Sequence, residues 1–183
     1  MEQKNRTERI VLIALFSTLT WIGAYLRIEF IPPIPFTLQT LMVVMAGLIL
    51  GPRDAFLSQG VYLLLGLSGV PVFTQGGGPG YILRPTFGFL LGFVLAAAAV
   101  GWLGRLMGKP SFGKCLGIAL AGMGIIYLVA IPYIYLLNQL VLKTPVSFTQ
   151  LTVGMVPFML GDLLKSLVIA GVTPTILLRI RDL

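Results

Sequence analysis

Two ionisable residues, Asp162 and Lys165, lie within an otherwise apolar stretch near the C-terminus, Phe158-Met-Leu-Gly-Asp-Leu-Leu-Lys-Ser166. Residues separated by three positions lie on one face of a helix, so the two side chains are within reach of each other. A charged side chain at mid-bilayer costs roughly 2.5–3.5 kcal/mol on insertion scales, and such residues are therefore functional candidates by default. The pair predicts either a ligand site or an ion pair that holds helices together.

A second candidate region is the glycine- and proline-rich segment 69–86. Its composition is incompatible with a regular helix, and its glycines allow the backbone to approach a ligand closely. It carries four side chains suited to a polar, partly aromatic ligand: Phe73, Gln75, Tyr81 and Arg84. A flexible connection would have a similar composition, so this segment alone does not distinguish a binding loop from a linker.

The composition excludes an ordinary soluble domain and most catalytic chemistry. Hydrophobic residues make up 57% of the chain and charged residues 10%, whereas soluble domains carry about 25% charged residues. The absence of histidine and the single cysteine, Cys115, exclude most metal sites, disulfide frameworks and histidine-based catalysis. A paired-aspartate mechanism lacks a second intramembrane aspartate, and no G-x-x-x-x-G-K-[ST] phosphate loop is present. We expect no catalytic residue, no metal site, no cofactor and no nucleotide hydrolysis by this chain.

Six apolar runs are long enough, or nearly so, to cross a bilayer, which requires about 20 residues. They cover residues 10–26, 35–50, 55–70, 86–107, 114–142 and 157–178. The fifth is too long for one perpendicular crossing, so we expect it to be tilted or bent near Pro132. Pro157 suits the first turn of the sixth helix. The sequence thus predicts an all-α membrane protein, a bundle of six transmembrane helices forming a single integral-membrane domain over residues 1–183, with a Gly-rich outer loop between helices 3 and 4.

The net charge of +7 is explained by membrane orientation rather than by nucleic-acid binding. Basic residues concentrate on the cytoplasmic side of membrane proteins. With the N-terminus inside, the residues on that side are Lys4, Arg6, Arg9, Arg53, Arg105, Lys109, Lys114, Arg179 and Arg181. Arg27, Arg84 and Lys143 fall outside, so both termini are expected to be cytoplasmic and no nucleic-acid partner is predicted.

Neutral polar and small residues within the spans add weaker candidates. Thr37 and Gln39 are expected to open the second helix at its outer end and to offer hydrogen bonds to a ligand or to a neighbouring helix. For Tyr127, Tyr135, Asn138 and Gln139 in the fifth span, hydrogen bonds between helices are the commoner use.

Small residues four positions apart allow helices to pack closely in lipid. They occur as Gly88 with Gly92 and Ala97 with Gly101 in the fourth span, and as Gly113 with Gly117 in the fifth, where internal packing is expected. In the first span, Ala14 and Thr18 could instead face a partner subunit.

Several of these motifs, in this order, resemble the BioY family of biotin-specificity subunits (S components) of energy-coupling-factor (ECF) vitamin transporters. The matching pieces are Pro35-Phe-Thr-Leu-Gln-Thr40, Tyr62-Leu-Leu-Leu-Gly-Leu-Ser-Gly-Val-Pro-Val-Phe73, Pro85-Thr86, Gly88-Phe-Leu-Leu-Gly-Phe93, Pro157-Phe158, Gly161-Asp162 and Lys165. They run through most of the chain.

The resemblance implies a six-helix protein of the bacterial plasma membrane, surrounded by lipid, that binds biotin at its outer face. Its implied partners are a transmembrane scaffold subunit and two cytoplasmic ATPase subunits that drive import. On this interpretation Asp162 accepts hydrogen bonds from the ligand or fixes the neighbouring cation, and either Lys165 or Arg84 meets the biotin carboxylate.

The family resemblance also suggests roles for the weaker candidates. Phe73 and Tyr81 would cover the apolar rings, and Gln75, Thr37 and Gln39 would supply neutral hydrogen bonds. The Gly-rich segment would act as a lid. The family's Ala-xxx-Ala contact with the scaffold has its counterpart in Ala14 and Thr18, where threonine replaces the second alanine.

The main alternative is a stand-alone secondary transporter of a small anionic, vitamin-like substrate. Such proteins contain repeated halves with paired broken helices, and no convincing repeat relates the first three spans to the last three. A purely structural membrane subunit would explain the glycines but not a buried charge pair beside an open loop.

Overall fold

The computed structural model describes residues 5–31, 34–144 and 146–181. Lys4 and the side chain of Arg181, both expected on the cytoplasmic side, lie outside the described part. The elements in chain order are α1 (Arg6–Tyr25), β1 (Arg27–Ile31), β2 (Ile34–Thr37), α2 (Gln39–Leu50), α3 (Pro52–Leu67), α4 (Phe87–Leu106), α5 (Phe112–Leu137), α6 (Phe148–Gly154) and α7 (Val156–Arg181).

The described residues form a helical bundle with the composition of an integral membrane protein. Four helical stretches are long and apolar enough to cross a bilayer: Arg6–Tyr25, Phe87–Leu106, Phe112–Leu142 and Val156–Arg179. Helices α2 and α3 have 12 and 16 residues and are shorter than the roughly 17 that a crossing needs. The predicted multi-pass helical membrane protein is therefore confirmed, while helix length alone identifies four spans in the described residues rather than six.

Helix α5 contains Pro132 and continues beyond it, ending in a π-helical turn over Asn138–Leu142. Proline removes one backbone hydrogen bond, but neighbouring helices compensate for this in membrane bundles. Lys143 follows with a positive φ of 51° and ends the helix. Helix α7 starts at Val156, so Pro157 falls in its first turn as predicted.

Helix α4 lies at the centre of the bundle and packs against α2, α3 and α5. A Cβ at Gly92 would lie 3.0 Å from the backbone of Ile126, and one at Gly101 would lie 2.5 Å from the Gly51–Pro52 peptide. These contacts confirm the predicted internal packing of the α4 glycines. The same expectation is wrong for Gly113 and Gly117, because a Cβ at either position would meet no atom within 4 Å.

A two-stranded antiparallel hairpin precedes α2, with Arg27 opposite Thr37 and Ile28 opposite Phe36. This hairpin was not predicted from the sequence, and the expected start of the second helix at residue 35 is wrong. A proline disfavours helical backbone at the residue before it, here Ile34, and its missing N–H is tolerated in an edge strand. Residues Ile34–Thr37 are paired in β2, and the helix begins at Gln39.

The hairpin and segment 68–86 lie at the same end of the bundle, which we call the loop end. Leu38 N–H donates to Gly23 O at the end of α1 (3.2 Å). Tyr25 Oη donates to Pro71 O (2.8 Å), and the Tyr133 hydroxyl donates to Ile82 O. At the opposite end, Arg9 on α1 makes a bidentate ion pair with Asp54 on α3, with N···O distances of 2.5 and 2.9 Å.

Segment 68–86 is irregular apart from a short 3₁₀ turn over Pro79–Leu83. Gly69, Gly76 and Gly78 have φ values of 107°, 109° and 101°. Side chains disfavour this region, so the path of the segment depends on glycine at these positions. Gly78 N–H donates to Gly66 O (2.7 Å), which fastens the segment to the end of α3.

Candidate ligand-binding site

A cavity opens at the loop end, and the space inside it together with its open mouth amounts to about 490 Å³. The hairpin, α2, segment 68–86, α4, α5 and α7 all contribute to its wall. The lining residues are Ile34, Pro35, Phe36, Thr37, Gln39, Thr40, Thr74, Tyr81, Thr86, Phe89, Leu90, Phe93, Tyr127, Phe158, Asp162 and Lys165.

Asp162 and Lys165 form a buried ion pair in this wall. Lys165 Nζ lies 2.6 Å from Asp162 Oδ1, and the two residues are 6% and 4% exposed, respectively. The predicted placement of both side chains on one face of the helix is confirmed. Since an unpaired buried charge is costly, each residue depends on the other.

Asp162 is further satisfied by two hydroxyl groups from other helices. Thr40 Oγ1 on α2 donates to Asp162 Oδ1 (2.8 Å), and Tyr127 Oη on α5 donates to Asp162 Oδ2 (2.6 Å). The carboxylate thus joins α2, α5 and α7 at the base of the cavity. Tyr127 makes the interhelical hydrogen bond expected of it, and its partner is Asp162.

The Lys165 ammonium group uses all of its donors within the protein. It donates to Thr37 O (2.6 Å), Thr40 Oγ1 (2.9 Å) and Asp162 Oδ1 (2.6 Å). An ammonium has three N–H groups, so these acceptors account for each of them. The Phe36 ring also covers the group, with Nζ 3.9 Å from the ring centroid. Lys165 is consequently held in one position.

Gln39 and Thr37 belong to a second set of hydrogen-bonded side chains beside the ion pair. Thr37 Oγ1 donates to Gln39 Oε1 (3.2 Å), and Gln39 Nε2 donates to Tyr62 Oη (2.8 Å). Tyr62 lies behind the cavity wall and is 2% exposed. Its hydroxyl donates to Val72 O in segment 68–86 (3.0 Å).

Three hydroxyl groups cluster where segment 68–86 meets α4. Thr86 Oγ1 donates to Tyr81 Oη (3.0 Å), and Thr74 Oγ1 shares a hydrogen bond of 3.0 Å with the same oxygen. The three hydroxyls carry three hydrogens and these two bonds use two of them, so one has no acceptor within the cluster. Thr74, Tyr81 and Thr86 all line the cavity.

The structure brings five of the predicted binding residues to the cavity: Thr37, Gln39, Tyr81, Asp162 and Lys165. It does not bring the other three there. Phe73 lies behind Tyr81, between the Tyr62 and Tyr81 rings at centroid distances of 5.4 and 4.5 Å. Gln75 and Arg84 are exposed on segment 68–86. Phe73 therefore supports the wall from behind instead of facing the cavity.

Three further contributors to the site were not predicted from the sequence: Phe36, Thr40 and Tyr62. Thr40 and Phe36 flank the residues that were singled out, so proximity to Thr37 and Gln39 was the available signal. Tyr62 offered no comparable signal, because its contacts with Gln39 and Val72 arise only when α2, α3 and segment 68–86 pack together.

Ala14 and Thr18 lie on the exposed face of α1, away from the cavity. Thr18 Oγ1 donates to Ala14 O (2.9 Å), so its polar group is satisfied within the helix. The opposite face of α1 is buried and includes Ser17, Thr20 and Gly23. The small residues thus leave a shallow surface open to another membrane helix.

Comparisons with known proteins agree in both sequence and fold. The "Probable biotin transporter BioY" of Lysinibacillus sphaericus is 42% identical over 163 residues, covering 88% of this chain and 83% of that protein. The "Biotin transporter BioY" of Thermotoga maritima is 36% identical over 165 residues, covering 88% and 91%. Both are named as transporters rather than enzymes.

A solved structure described as the S-component for biotin from an ECF-type ABC transporter shares the fold. It superposes with a TM-score of 0.81 at 26% sequence identity, covering 100% of this chain and 95% of that one. The sequence model of the BioY family matches residues 1–182. The chain is therefore a member of the BioY family.

Proposed function

We propose that this chain is the biotin-binding S component of an energy-coupling-factor importer. The observation that carries the proposal is the cavity at the loop end, with a buried Asp162–Lys165 pair in its wall, in a chain whose relatives are named biotin transporters. Biotin is the transported ligand in this proposal and not a cofactor, and the chain itself is not an enzyme.

The chemistry of the cavity suits the parts of biotin. The molecule offers an apolar thioether ring, a ureido group with two N–H donors and one carbonyl acceptor, and a carboxylate. Phe89, Phe93 and Phe158 supply apolar walls, while the polar groups are concentrated at the base and at segment 68–86. A mostly apolar wall with a few polar groups at fixed positions is typical of small-molecule sites.

The hydrogen bonds favour one orientation of the ligand. Lys165 has no donor left for a carboxylate, whereas Asp162 Oδ2 receives one hydroxyl and retains the capacity to accept a further N–H. We therefore place the ureido group at Asp162, with Lys165 fixing and neutralising that carboxylate.

The biotin carboxylate then points toward the mouth of the cavity. The hydroxyl cluster of Thr74, Tyr81 and Thr86, whose two internal bonds use only two of its three hydrogens, would meet the carboxylate there. Arg84 is exposed in the same segment, and its guanidinium group can bind a carboxylate bidentately. Because Lys165 has no donor left, we assign the carboxylate to Arg84, which lies on segment 68–86 but does not line the cavity.

The proposed transmembrane arrangement has six crossings, with α2 and α3 completing the four long spans. Both termini lie in the cytoplasm, and the loop end faces outward, in the bacterial cell membrane. The exposed Ala14 and Thr18 surface of α1 would contact the transmembrane scaffold subunit, which joins two cytoplasmic ATPase subunits. Their ATP hydrolysis would power delivery of biotin inward.

The test is calorimetric titration of the purified chain with biotin. We expect the wild type to bind at nanomolar to micromolar concentration. Asp162→Asn should weaken binding by at least about tenfold, because a hydrogen bond to a charged group contributes about 1.5–3 kcal/mol. Lys165→Ala should weaken it by at least as much, because it leaves the Asp162 carboxylate without its counter-ion. Lys143→Ala removes an exposed lysine outside the cavity and should leave the affinity unchanged.

A wild-type chain that does not bind biotin in this range would overturn the proposal. Unchanged binding in both cavity variants would instead overturn the assignment of the site. Thermal midpoints are recorded in parallel, because a buried charge left unpaired destabilises a fold by about 3–5 kcal/mol.

A further inference from the structure

Three tyrosine hydroxyls from three different helices hold segment 68–86 by its backbone carbonyls. Tyr25 on α1 donates to Pro71 O, Tyr62 on α3 donates to Val72 O, and Tyr133 on α5 donates to Ile82 O. The first and third bonds lie at the exposed surface, whereas the Tyr62 bond is buried. The segment is thus fastened at its beginning and near its end, with one bond shielded from solvent.

Tyr62 differs from the other two because its hydroxyl also contacts a residue of the cavity wall. It accepts a hydrogen bond from Gln39 Nε2 (2.8 Å) while donating to Val72 O (3.0 Å). A hydroxyl has one hydrogen, and here it is committed to the loop. The Tyr62 ring packs edge-on against the Phe73 ring, with 5.4 Å between the ring centroids, so the side chain has little freedom to move.

These bonds form a continuous path from the buried ion pair to the segment over the cavity. Lys165 donates to Thr37 O, and Thr37 Oγ1 donates to Gln39 Oε1. Gln39 continues the path to Tyr62, and Tyr62 continues it to Val72. The amide of Gln39 is therefore oriented at both ends, by Thr37 on one side and by Tyr62 on the other.

We infer that Tyr62, which does not line the cavity, is a positioning residue for ligand binding that couples the orientation of Gln39 to closure of segment 68–86. Without its hydroxyl, the Gln39 amide loses one of its two anchors and the segment loses its buried one. Ligand dissociation then becomes faster. This inference rests on the proposed function, since its main measurement uses biotin.

The test is a double-mutant cycle on the dissociation constant of biotin. Tyr62→Phe keeps the ring and its contact with Phe73 and removes both hydrogen bonds, so we expect affinity to fall about tenfold, mainly through a faster dissociation rate. In the double variant Tyr62→Phe with Gln39→Met, the loss of affinity should be about fivefold smaller than the product of the two single losses, because the two residues share a hydrogen bond.

Tyr133→Phe is the matched control, because it also removes a hydroxyl bond to segment 68–86 but has no bond to Gln39. In the double variant Tyr133→Phe with Gln39→Met, the loss of biotin affinity should equal the product of the two single losses. A purely structural role of Tyr62 would likewise give independent effects, and that result for the Tyr62 and Gln39 pair would overturn the inference.

Hydrogen exchange of the ligand-free protein provides a second measurement that does not need Tyr62→Phe to fold. Gln39→Met should accelerate amide exchange in segment 68–78, because the path through Tyr62 is broken, whereas Lys143→Ala should not. Unchanged exchange in Gln39→Met would overturn the coupling. If wild-type protein fails to bind biotin while this exchange effect is present, the proposed function fails and the coupling stands.

Discussion

At the scale of single residues, the site is organised around a carboxylate and an ammonium that satisfy each other before any ligand arrives. The spacing of Asp162 and Lys165 in the sequence was sufficient to predict their contact, because one helix carries both. The contributions of Thr40 and Tyr127 could not be predicted in this way, since they come from α2 and α5. Their contact with Asp162 depends on helix packing, which the local sequence does not determine.

Gly161 gives a residue-scale prediction about the cover over Lys165. A Cβ at Gly161 would overlap the Phe36 ring, which lies over the Lys165 ammonium group. We expect Gly161→Ala to displace that ring and to weaken biotin binding about three- to tenfold. A cation–π contact contributes about 0.5 kcal/mol at an exposed site and about 2 kcal/mol at a desolvated one. Calorimetric titration measures the change.

Gly171→Ala is the control on the same helix, because a Cβ there meets no atom within 4 Å. It should leave binding unchanged and raise the thermal midpoint slightly, since alanine favours helix over glycine by about 1 kcal/mol. Equal effects of the two substitutions on affinity would contradict the role given to Gly161.

At the scale of elements, the sequence predicted the long helices well and the approach to α2 poorly. Long apolar runs specify α4, α5 and α7 because every turn must satisfy its backbone within the membrane. The hairpin depends on pairing between β1 and β2, two segments that are separate in the sequence, and the apolar run from residue 35 to 50 conceals it. This difference matters for the site, because β2 supplies Thr37 O to Lys165.

Close packing of α2 on α4 yields a prediction at this scale. A Cβ at Gly47 would lie 2.6 Å from Val100 Cγ1 and 2.9 Å from Ala97 O. The backbone oxygen cannot move aside as a flexible side chain could, so Gly47→Ala should force the helices apart and cost about 1–3 kcal/mol. Unfolding of the purified protein by heat or denaturing detergent measures this loss.

Gly124→Ala on α5 serves as the comparison, because its Cβ would meet no atom within 4 Å. It should not lower stability. A Gly47→Ala variant as stable as the wild type would show that α2 and α4 are less tightly packed than described.

At the scale of the whole molecule, charge is confined to the two ends of the bundle apart from the Asp162–Lys165 pair, as far as the described residues show. Arg9, Arg53, Arg105 and Lys114 lie at the end opposite the cavity. This distribution supports the proposed topology, in which that end is cytoplasmic and the cavity faces outward, because basic residues concentrate on the cytoplasmic side.

Cysteine labelling tests this orientation. The native Cys115 is fully buried, so the maleimide should not label it. A membrane-impermeant maleimide should label Lys143→Cys in intact cells, because that residue is exposed at the loop end, and should label Lys109→Cys only after the membrane is permeabilised. Labelling of both variants from the outside would contradict the proposed topology.

The Lys165 ammonium group neutralises Asp162 from within the chain. Thr37, Thr40 and Asp162 surround its ammonium with oxygen atoms, much as a protein cage surrounds a sodium ion, but this cation is part of the chain and never leaves. Asp162 is therefore compensated whether the cavity is empty or full. On the proposed function, the cavity therefore needs no ion from solution to neutralise Asp162 when it captures its ligand.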